Sequence, residues 1–299
     1  MDLFQQISAA LPQLSLLAEE PLSKHCSFRV GGPAEVFAQP ASVQELTALL
    51  RLCQTLGVRP VLLGAGTNVV CPDEGLRGVV ICTKENLSGL RQISETEIEA
   101  ECGVTLARLA GFARDLGLTG LEFAHGIPGT VGGGMVMNAG AYGGEMRQVA
   151  EAATALLPDG SVRDFIGPEQ QLSYRHSAFM DLGCVVLRAI FRLQPGDRDQ
   201  ISETMRELNA RRRASQPLEY PSAGSFFKRP TGYFAGKLIQ DAGLKGFCVG
   251  GAQVSEKHAG FVINTGNATA ADIRALMAEV QRRVRESAGV ELQPEVRFL

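Results

Sequence analysis

The nineteen residues from Gly126 to Gly144 contain eight glycines, interleaved with Ile, Val, Met and Tyr. Ordering a glycine costs about 0.5 to 1 kcal/mol more than ordering an alanine, so packing alone gives little reason to concentrate glycines. A flexible linker would also be rich in glycine, but linkers seldom carry so many apolar side chains. We therefore predict that this segment presents bare backbone to a large planar or phosphorylated ligand.

An earlier glycine loop, Gly64 to Asn68, begins like a dinucleotide-binding fingerprint. A Rossmann loop opens directly into a helix whose N-terminus holds the pyrophosphate. Here Val69-Val70-Cys71-Pro72 follows, which predicts a strand or an irregular loop instead. Two interpretations remain open: a simple tight turn, or a nest of backbone N–H groups that holds an anion, with Thr67 and Asn68 as additional donors.

The hydrophobic pattern predicts a mixed α/β fold. Helical spacing indicates helices at 42–56, 105–116, 200–214 and 269–289, and capping boxes are predicted for Ser42 with Glu45 and for Thr269 with Asp272. Alternation and β-branched runs indicate strands at 60–63, 79–81, 95–101, 155–157, 185–193 and 290–299. The sequence Pro195-Gly196-Asp197 indicates a boundary. We predict three parts, 1–83 (completed by the strand at 290–299), 84–195 and 196–289.

Composition excludes several classes of function. Lys and Arg number 29 and Asp and Glu 32, a net charge of −3, so no overall positive field attracts nucleic acid or an anionic membrane. The seven cysteines are odd in number and form no C-x-x-C pair, and the four histidines never fall at metal-ligand spacing. These spacings predict no metal site. Because the chain shows neither a signal peptide nor a long apolar run, we expect a cytoplasmic protein.

Four further segments carry candidate chemistry, and each has a structural alternative. In Ser173 to Phe179, Arg175 is either a packed ion-pair residue or a fork for a carboxylate or phosphate. In Pro221 to Pro230, Ser225 stands beside two aromatic residues and two cations, so it can donate a proton near an anion. Gly236 to Gly246 is predicted as a short helix. Glu295 and Arg297 share one face of a terminal strand, where they are either functional residues or an ordinary surface pair.

Together these segments, in this order and spacing, resemble the UDP-N-acetylenolpyruvoylglucosamine reductases (UDP-N-acetylmuramate dehydrogenases), flavoenzymes of bacterial peptidoglycan precursor synthesis. The resemblance begins at Phe28-Arg29-Val30-Gly31-Gly32 and covers essentially the whole chain. The chain is similar to the shorter subclass of that family, because few residues separate Ser225 from Gly243 and the substrate-covering insertion is missing.

The resemblance implies an FAD-binding domain of the vanillyl-alcohol-oxidase (PCMH) type in two subdomains, followed by a C-terminal α/β substrate-binding domain. It implies noncovalent FAD, with NADPH as hydride donor and UDP-N-acetylglucosamine enolpyruvate as substrate, in a monomeric protein. The implied FAD contacts are Arg29, Gly64, Ala65, Gly66, Thr67, Asn68, Gly126, Ile127, Pro128, Gly129, Thr130, Gly132, Gly133, Asn138, Gly140, Ala141, Tyr142 and Arg297. The implied substrate contacts are Tyr174, Lys228, Arg229, Lys237 and Gln240.

The resemblance also implies three catalytic residues, Arg175, Ser225 and Glu295. Hydride delivery to the methylene carbon of an enol ether leaves negative charge that extends into the carboxylate, so donors must meet that charge. We expect Arg175 to grip the carboxylate, Ser225 to donate the proton, and Glu295 to assist as a protonated acid with a raised pKa.

Two alternatives remain at this stage. Another FAD enzyme of the same cofactor fold would oxidise an alcohol or hydroxy acid and consume oxygen without an enolpyruvyl substrate. A noncatalytic sensor of nucleotide sugars or flavin would bind its ligand without NADPH-dependent turnover. The retention of Arg175, Ser225 and Glu295 favours the reductase over both.

Overall fold

A computed structural model describes every residue from Met1 to Leu299 and contains two compact units. The first unit consists of Met1–Ala18, Val36–Ala65 and Gly78–Arg211, and the second of Glu19–Glu35, Gly66–Arg77 and Arg212–Leu299. The predicted division at residues 83, 195 and 289 stays a prediction. None of the helices has the length and apolarity that a membrane span requires.

The chain forms eight α-helices and nineteen short strands. The helices are α1 (Leu3–Ala10), α2 (Val43–Thr55), α3 (Leu106–Asp115), α4 (Val131–Val136), α5 (Ala178–Asp181), α6 (Arg198–Ser215), α7 (Ala235–Asp241) and α8 (Ala270–Ala288). The strands are β1 (Ser15–Pro21), β2 (Pro33–Gln39), β3 (Val61–Leu63), β4 (Val69–Val70), β5 (Leu76–Cys82), β6 (Leu90–Gln92), β7 (Glu97–Glu101), β8 (Leu118–Thr119), β9 (Gly140–Ala141), β10 (Gly144–Glu145), β11 (Ala150–Leu156), β12 (Val162–Ile166), β13 (Val185–Arg192), β14 (Gln194–Pro195), β15 (Ser222–Ser225), β16 (Cys248–Val249), β17 (Ala252–Val254), β18 (Phe261–Asn264) and β19 (Arg297–Phe298).

A four-stranded sheet has the order β1-β2-β5-β3, with β3 parallel to β5. Helix α2 connects β2 to β3, which lie on either side of β5. It begins where its sequence predicts, because the Ser42 hydroxyl accepts the Glu45 N–H at 3.1 Å. The Glu45 carboxylate turns back to the Ala41 N–H at 2.8 Å rather than to that of Ser42, so only half of the predicted capping box forms. Leu46 and Leu49 of this helix are fully buried in one apolar cluster with Ile81.

A five-stranded antiparallel sheet in the first unit has the order β12-β11-β13-β7-β6. Its core includes Ile98, Leu109 of α3, and Phe191, all fully buried. Helix α3 begins at the predicted cap, where the Thr105 hydroxyl accepts the Arg108 N–H at 3.2 Å. The glycine-rich segment lies on the connection between α3 and β11 of this sheet.

The second unit contains a four-stranded antiparallel sheet in the order β15-β18-β17-β16, together with α7 and α8. Helix α8 has the full capping box predicted for Thr269 and Asp272 and ends at Gly289, whose φ is +67°. The buried ring of Phe226 contacts the rings of Phe28 and Phe298 edge-on, with both centroid distances 6.4 Å.

The terminal strand predicted over 290–299 is mostly irregular. Only Arg297 and Phe298 form a strand, which pairs in parallel with Val69 and Val70. Pro294 has no N–H to donate, and it makes a single bridge to Phe227 instead of extending a ladder.

Candidate active site

Gly64 and Thr130 approach each other closely in the first unit. A Cβ on Gly64 would lie 2.3 Å from the Thr130 Oγ1, so no larger residue fits there without moving the threonine. The Thr130 hydroxyl is itself buried and has no hydrogen-bond partner. Since a buried polar atom without a partner costs about 1 to 3 kcal/mol, this hydroxyl calls for an acceptor that the chain does not supply.

The residues around Thr130 fit a phosphorylated cofactor. Gly133 is exposed, and the only atom within 4 Å of a Cβ built on it is the Thr130 Oγ1, at 3.8 Å. A phosphate oxygen is a strong acceptor that can approach backbone without side chains and satisfy this hydroxyl. These residues therefore suit the pyrophosphate of a dinucleotide, which supports the ligand-cradle interpretation of the glycine loop at Gly64 over a simple turn.

Packing against protein also explains part of the glycine density, which corrects the expectation that packing contributes little. A Cβ on Gly144 would lie 2.4 Å from the Phe123 ring, and one on Gly140 would lie 2.7 Å from the Gly144 carbonyl oxygen. A Cβ on Gly132 would lie 3.0 Å from the Cys102 Cβ. The segment also contains the short helix α4, which the sequence did not predict because three consecutive glycines have low helix propensity.

His125 lies immediately before the glycine-rich segment. Its ring Nδ1 is 2.7 Å from the Asn209 amide nitrogen. Burial, together with the positive charge of Arg114, lowers the pKa of His125 below its ordinary value, so the ring is neutral at pH 7. It therefore adds no positive charge beside Gly126.

Asn138 and Tyr142, both predicted as FAD contacts, have left-handed backbone conformations, with φ of +42° and +54°. The Asn138 side chain is buried and bonded within the protein: its amide donates to the Glu145 carboxylate at 2.9 Å and to the Ser173 carbonyl oxygen at 3.0 Å. Tyr142 is 44% exposed. The segment thus presents Tyr142 and backbone outward, while Asn138 faces inward.

Arg175 lies in a two-residue turn between Ser173 and His176, whose backbones exchange hydrogen bonds of 3.0 and 3.1 Å. Its φ is +55°, a conformation that glycine usually supplies at such a turn. The guanidinium donates to the Gly140 carbonyl oxygen at 3.5 Å and lies 5.4 Å from the centre of the exposed Tyr174 ring. A strained, half-buried arginine in a fixed turn suits a binding role better than a surface ion pair.

Ser225 ends strand β15 in the second unit. Ser222 and Ser225 pair with Ile263 and Phe261, and a bulge separates the two pairs. Gly224 in the bulge has a φ of +76°, which a larger residue would adopt only with strain. The bulge redirects the strand and leaves Ser225 exposed beside the buried Phe226.

The backbone segments that carry Ser225 and Glu295 are hydrogen-bonded to each other. The Glu295 N–H donates to the Phe226 carbonyl oxygen at 2.9 Å, and the Lys228 N–H donates to the Gln293 carbonyl oxygen at 2.8 Å. The Asn68 amide donates to the Glu295 carbonyl oxygen at 3.2 Å. Two of the three predicted catalytic residues and one residue of the first glycine loop therefore meet within the second unit, whereas Arg175 belongs to the first.

The predicted FAD contacts Arg29, Gly66 and Arg297 lie in the second unit. Arg29 has a φ of +57° and is exposed. The Arg297 N–H donates to the Asn68 carbonyl oxygen at 3.0 Å. A Cβ on Gly66 would lie 2.1 Å from the His25 carbonyl oxygen, so this glycine is required by the chain itself.

Two of the predicted substrate contacts, Arg229 and Lys237, already have partners in the chain. Arg229 donates to the Tyr233 carbonyl oxygen at 3.3 Å and stacks on Phe234, 3.9 Å from the ring centre. Lys237 forms an ion pair with Asp241 one turn along α7, on the exposed face that also carries Gln240. Each of these interactions is exposed and therefore weak enough to exchange for a phosphate.

Comparison with known proteins identifies the family. Residues 216–299 match the C-terminal domain of UDP-N-acetylenolpyruvoylglucosamine reductase, and residues 34–165 match an FAD-binding domain. The UDP-N-acetylenolpyruvoylglucosamine reductase of Agathobacter rectalis is 47% identical over 99% of this chain and 97% of its own, and that of Caldanaerobacter subterraneus is 46% identical over 99% and 98%. The chain belongs to the UDP-N-acetylenolpyruvoylglucosamine reductase family.

A solved structure agrees with this family membership. The crystal structure of the UDP-N-acetylenolpyruvoylglucosamine reductase of Thermus caldophilus superposes with a TM-score of 0.78 at 32% identity, over 96% of this chain and 98% of that one. The predicted fold class, an α/β chain with an FAD-binding domain and a C-terminal domain of this reductase family, is confirmed. The predictions of a flavin-dependent oxidoreductase and of FAD as its cofactor are confirmed as well.

The sequence predicts no role for Ser177, although this residue lies in the segment Ser173 to Phe179. Its side chain is fully buried, and its hydroxyl donates to the Val136 carbonyl oxygen at 2.7 Å. It also accepts the Met180 N–H at 3.3 Å as the cap of α5. The available signal was a serine before an apolar stretch, which is typical of a helix start but does not reveal the long-range contact.

In this reductase family member, Gly64→Ala is expected to reduce FAD affinity at least about tenfold, a loss of about 1.4 kcal/mol. The added methyl would displace the Thr130 hydroxyl from the cradle, because the two would lie 2.3 Å apart. The flavin absorbance per protein after purification measures this. Gly111→Ala is the matched control, since a Cβ at that helical position meets no atom within 4 Å and should leave FAD content intact. Equal FAD content in both variants would contradict the cradle.

Proposed function

We propose that the chain reduces UDP-N-acetylglucosamine enolpyruvate to UDP-N-acetylmuramate with NADPH, in peptidoglycan precursor synthesis in the cytoplasm, as a monomer with noncovalent FAD. The observation that carries the proposal is the pairing of the Ser225 and Glu295 segments through the 2.9 Å bond from Glu295 to Phe226. This pairing puts a proton donor and a carboxyl group on neighbouring backbone, in a chain of this reductase family.

FAD, when bound, would supply the hydride chemistry that connects NADPH to the enolpyruvyl group. The residues that fit FAD are the glycine loop at Gly64, the orphan hydroxyl of Thr130 and the bare backbone near Gly133. The chain itself must bind the enolpyruvyl group, stabilise the charge that develops on it, and supply one proton.

Ser225 supplies that proton. As the new C–H bond forms at the methylene carbon, the electron pair of the C=C bond moves toward the carbon that bears the carboxylate. The Ser225 Oγ–H bond then breaks, and its proton ends on that second carbon. Exposure of Ser225 supports the role, because the resulting alkoxide can take a proton back from water. The nearby cation Lys228 would favour the alkoxide.

Arg175 and Glu295 stabilise the developing charge. A guanidinium gives a carboxylate two parallel N–H donors, and the strained turn holds Arg175 in one orientation. Glu295 assists only when protonated, because an ionised carboxylate would repel the anion. Its backbone is fixed on both sides, by bonds to Phe226 and from Asn68.

Substrate binding falls to the exposed side chains of the second unit and to Tyr174. Arg229 and Lys237 exchange their exposed partners for the diphosphate, with Lys228 and Gln240 as further contacts. Loss of Arg229 or Lys237 would then raise the KM for the enolpyruvyl substrate without changing FAD content.

The proposal is tested by mixing the purified yellow protein anaerobically with NADPH and then with UDP-N-acetylglucosamine enolpyruvate. The flavin absorbance near 450 nm should fall with NADPH and return with the enolpyruvyl substrate, with one UDP-N-acetylmuramate formed per cycle. In a parallel assay in air, rapid oxygen consumption with an alcohol or hydroxy acid and without the enolpyruvyl substrate would instead indicate an oxidase. Binding of UDP-sugars without any absorbance change would indicate a sensor. Either result would overturn the proposed reaction.

A further inference from the structure

Two buried side chains tie the turn that carries Arg175 to the glycine-rich segment. At one end, the Asn138 amide donates to the Ser173 carbonyl oxygen at 3.0 Å. At the other end, the Ser177 hydroxyl donates to the Val136 carbonyl oxygen at 2.7 Å. Asn138 is 1% exposed and Ser177 is 0% exposed, so water does not compete for either bond.

The other amide hydrogen and the oxygen of the Asn138 side chain also form hydrogen bonds within the protein. Its second amide hydrogen goes to the Glu145 carboxylate at 2.9 Å, and its oxygen accepts the Arg147 N–H at 2.9 Å. Glu145 also forms an ion pair of 2.5 Å with the Arg147 side chain. Because both amide hydrogens are used inside the protein, Asn138 reaches a ligand only through the residues that it holds.

We propose that Asn138 is a positioning residue that fixes Arg175 relative to the glycine-rich segment. The path is short: Asn138 holds Ser173, the turn carries Arg175, and the Arg175 guanidinium reaches back to the Gly140 carbonyl oxygen at 3.5 Å. Ser177 fixes the other end of the same turn. This inference rests on the proposed role of Arg175 toward the enolpyruvyl carboxylate.

The geometry explains why such a clamp affects rate. A bidentate grip on a planar carboxylate tolerates little misalignment, and a displacement of about 1 Å can slow a reaction about 10²-fold. The turn alone is a weak support, because Arg175 has a φ of +55°, which a non-glycine residue keeps only when its surroundings impose it. The hydrogen bonds from Asn138 and Ser177 to the neighbouring backbone impose this conformation on Arg175.

The test compares Asn138→Gly with the parent enzyme. Glycine keeps the left-handed backbone that Asn138 has at φ of +42°, so the variant removes the side-chain bonds without adding backbone strain. Both side-chain amide hydrogens of Asn138 are used inside the protein, so any contact of residue 138 with FAD would be through its backbone, which glycine keeps. FAD content and flavin reduction by NADPH should therefore change less than about twofold. Flavin reoxidation by UDP-N-acetylglucosamine enolpyruvate should slow about 10- to 10²-fold. The affinity for UDP-N-acetylmuramate, measured by calorimetry on the resting enzyme, should fall about tenfold as the carboxylate grip loosens.

A double variant separates positioning from general damage. Asn138→Gly combined with Arg175→Ala should be no slower in reoxidation than Arg175→Ala alone, because the clamp acts only through the arginine. Gln170→Ala is the matched control: Gln170 is also 1% exposed, and its amide holds the Ala150 and Glu151 carbonyl oxygens. It should show neither the slowing of one half-reaction nor the non-additivity.

Three outcomes would overturn the inference: additive slowing in the double variant, loss of FAD from Asn138→Gly, or an identical rate pattern in Gln170→Ala. If Asn138→Gly does not fold, Ser177→Ala tests the clamp from its other end with the same expected pattern. If Arg175→Ala itself reoxidises at the parent rate, the proposed role of Arg175 fails, and this result is distinct from a failure of the clamp alone.

Discussion

Ser225→Ala is expected to leave reduction of FAD by NADPH unchanged and to slow reoxidation by UDP-N-acetylglucosamine enolpyruvate by about 10² to 10⁴-fold, the range for loss of a general acid. The alanine removes the Oγ proton but keeps the strand, because the Gly224 bulge and the pairing of residue 225 with Phe261 involve only backbone. Anaerobic stopped-flow absorbance at the flavin band measures the two half-reactions separately.

Ser222→Ala is the matched control for this prediction. Ser222 lies on the same strand, on the other side of the bulge, and its backbone oxygen accepts the Ser27 hydroxyl at 2.6 Å whatever its side chain. Both half-reactions should keep parent rates in this variant. Equal slowing of both half-reactions in Ser225→Ala would show that residue 225 affects the cofactor rather than proton transfer.

Several of the helices, among them α2, α3 and α8, could be predicted from the sequence because local interactions determine their ends. Ser42, Thr105 and Thr269 each cap a helix at the position that the sequence indicates. A cap needs only a hydroxyl two or three residues from a free N–H, which neighbouring residues supply without help from the rest of the fold. The cap of α8 at Gly289 follows the same logic through its positive φ.

The extent and pairing of the short strands could not be predicted in the same way. The sequence indicated a strand or an irregular loop from Val69 and a strand over 290–299, and the structure has two-residue strands there, β4 and β19. Val69 and Arg297 pair across more than 200 residues of chain, and pairing between distant segments leaves no local signal. The strand predicted over 290–299 is limited to Arg297 and Phe298, because Pro294 has no N–H to extend the ladder.

The sequence predicts which residues belong to the candidate site better than it predicts what each of them contacts. The sequence left a tight turn and an anion cradle both open at Gly64, and it left an ion pair and an anion-binding fork both open at Arg175. The structure adds the Thr130 hydroxyl, buried without a partner beside Gly64, which favours the cradle. The sequence could not indicate that Asn138 faces inward or that Gly144 is required by the Phe123 ring. Those facts depend on which distant segments meet, and residue types alone do not determine that.

Arg175→Lys is expected to keep flavin reduction by NADPH and to lower the rate of the enolpyruvyl half-reaction about 10²-fold, with a smaller rise in KM. Lysine retains the positive charge, so long-range attraction of the substrate persists. It loses the planar fork, and with it the second N–H donor that follows the carboxylate as negative charge accumulates there. Steady-state kcat and KM for the enolpyruvyl substrate, together with stopped-flow reoxidation, measure the change.

Arg163→Lys is the control for this substitution, because Arg163 is an exposed arginine of the same unit whose ion pair with Glu169 at 2.7 Å contributes little. It should keep parent values of both constants. A rise in KM alone for Arg175→Lys, with kcat unchanged, would mean that the guanidinium binds ground state and transition state equally, and a role in charge stabilisation would be wrong. Parent values of both constants would make Arg175 a purely structural residue, held in its strained turn by Asn138 and Ser177 for the sake of the fold alone.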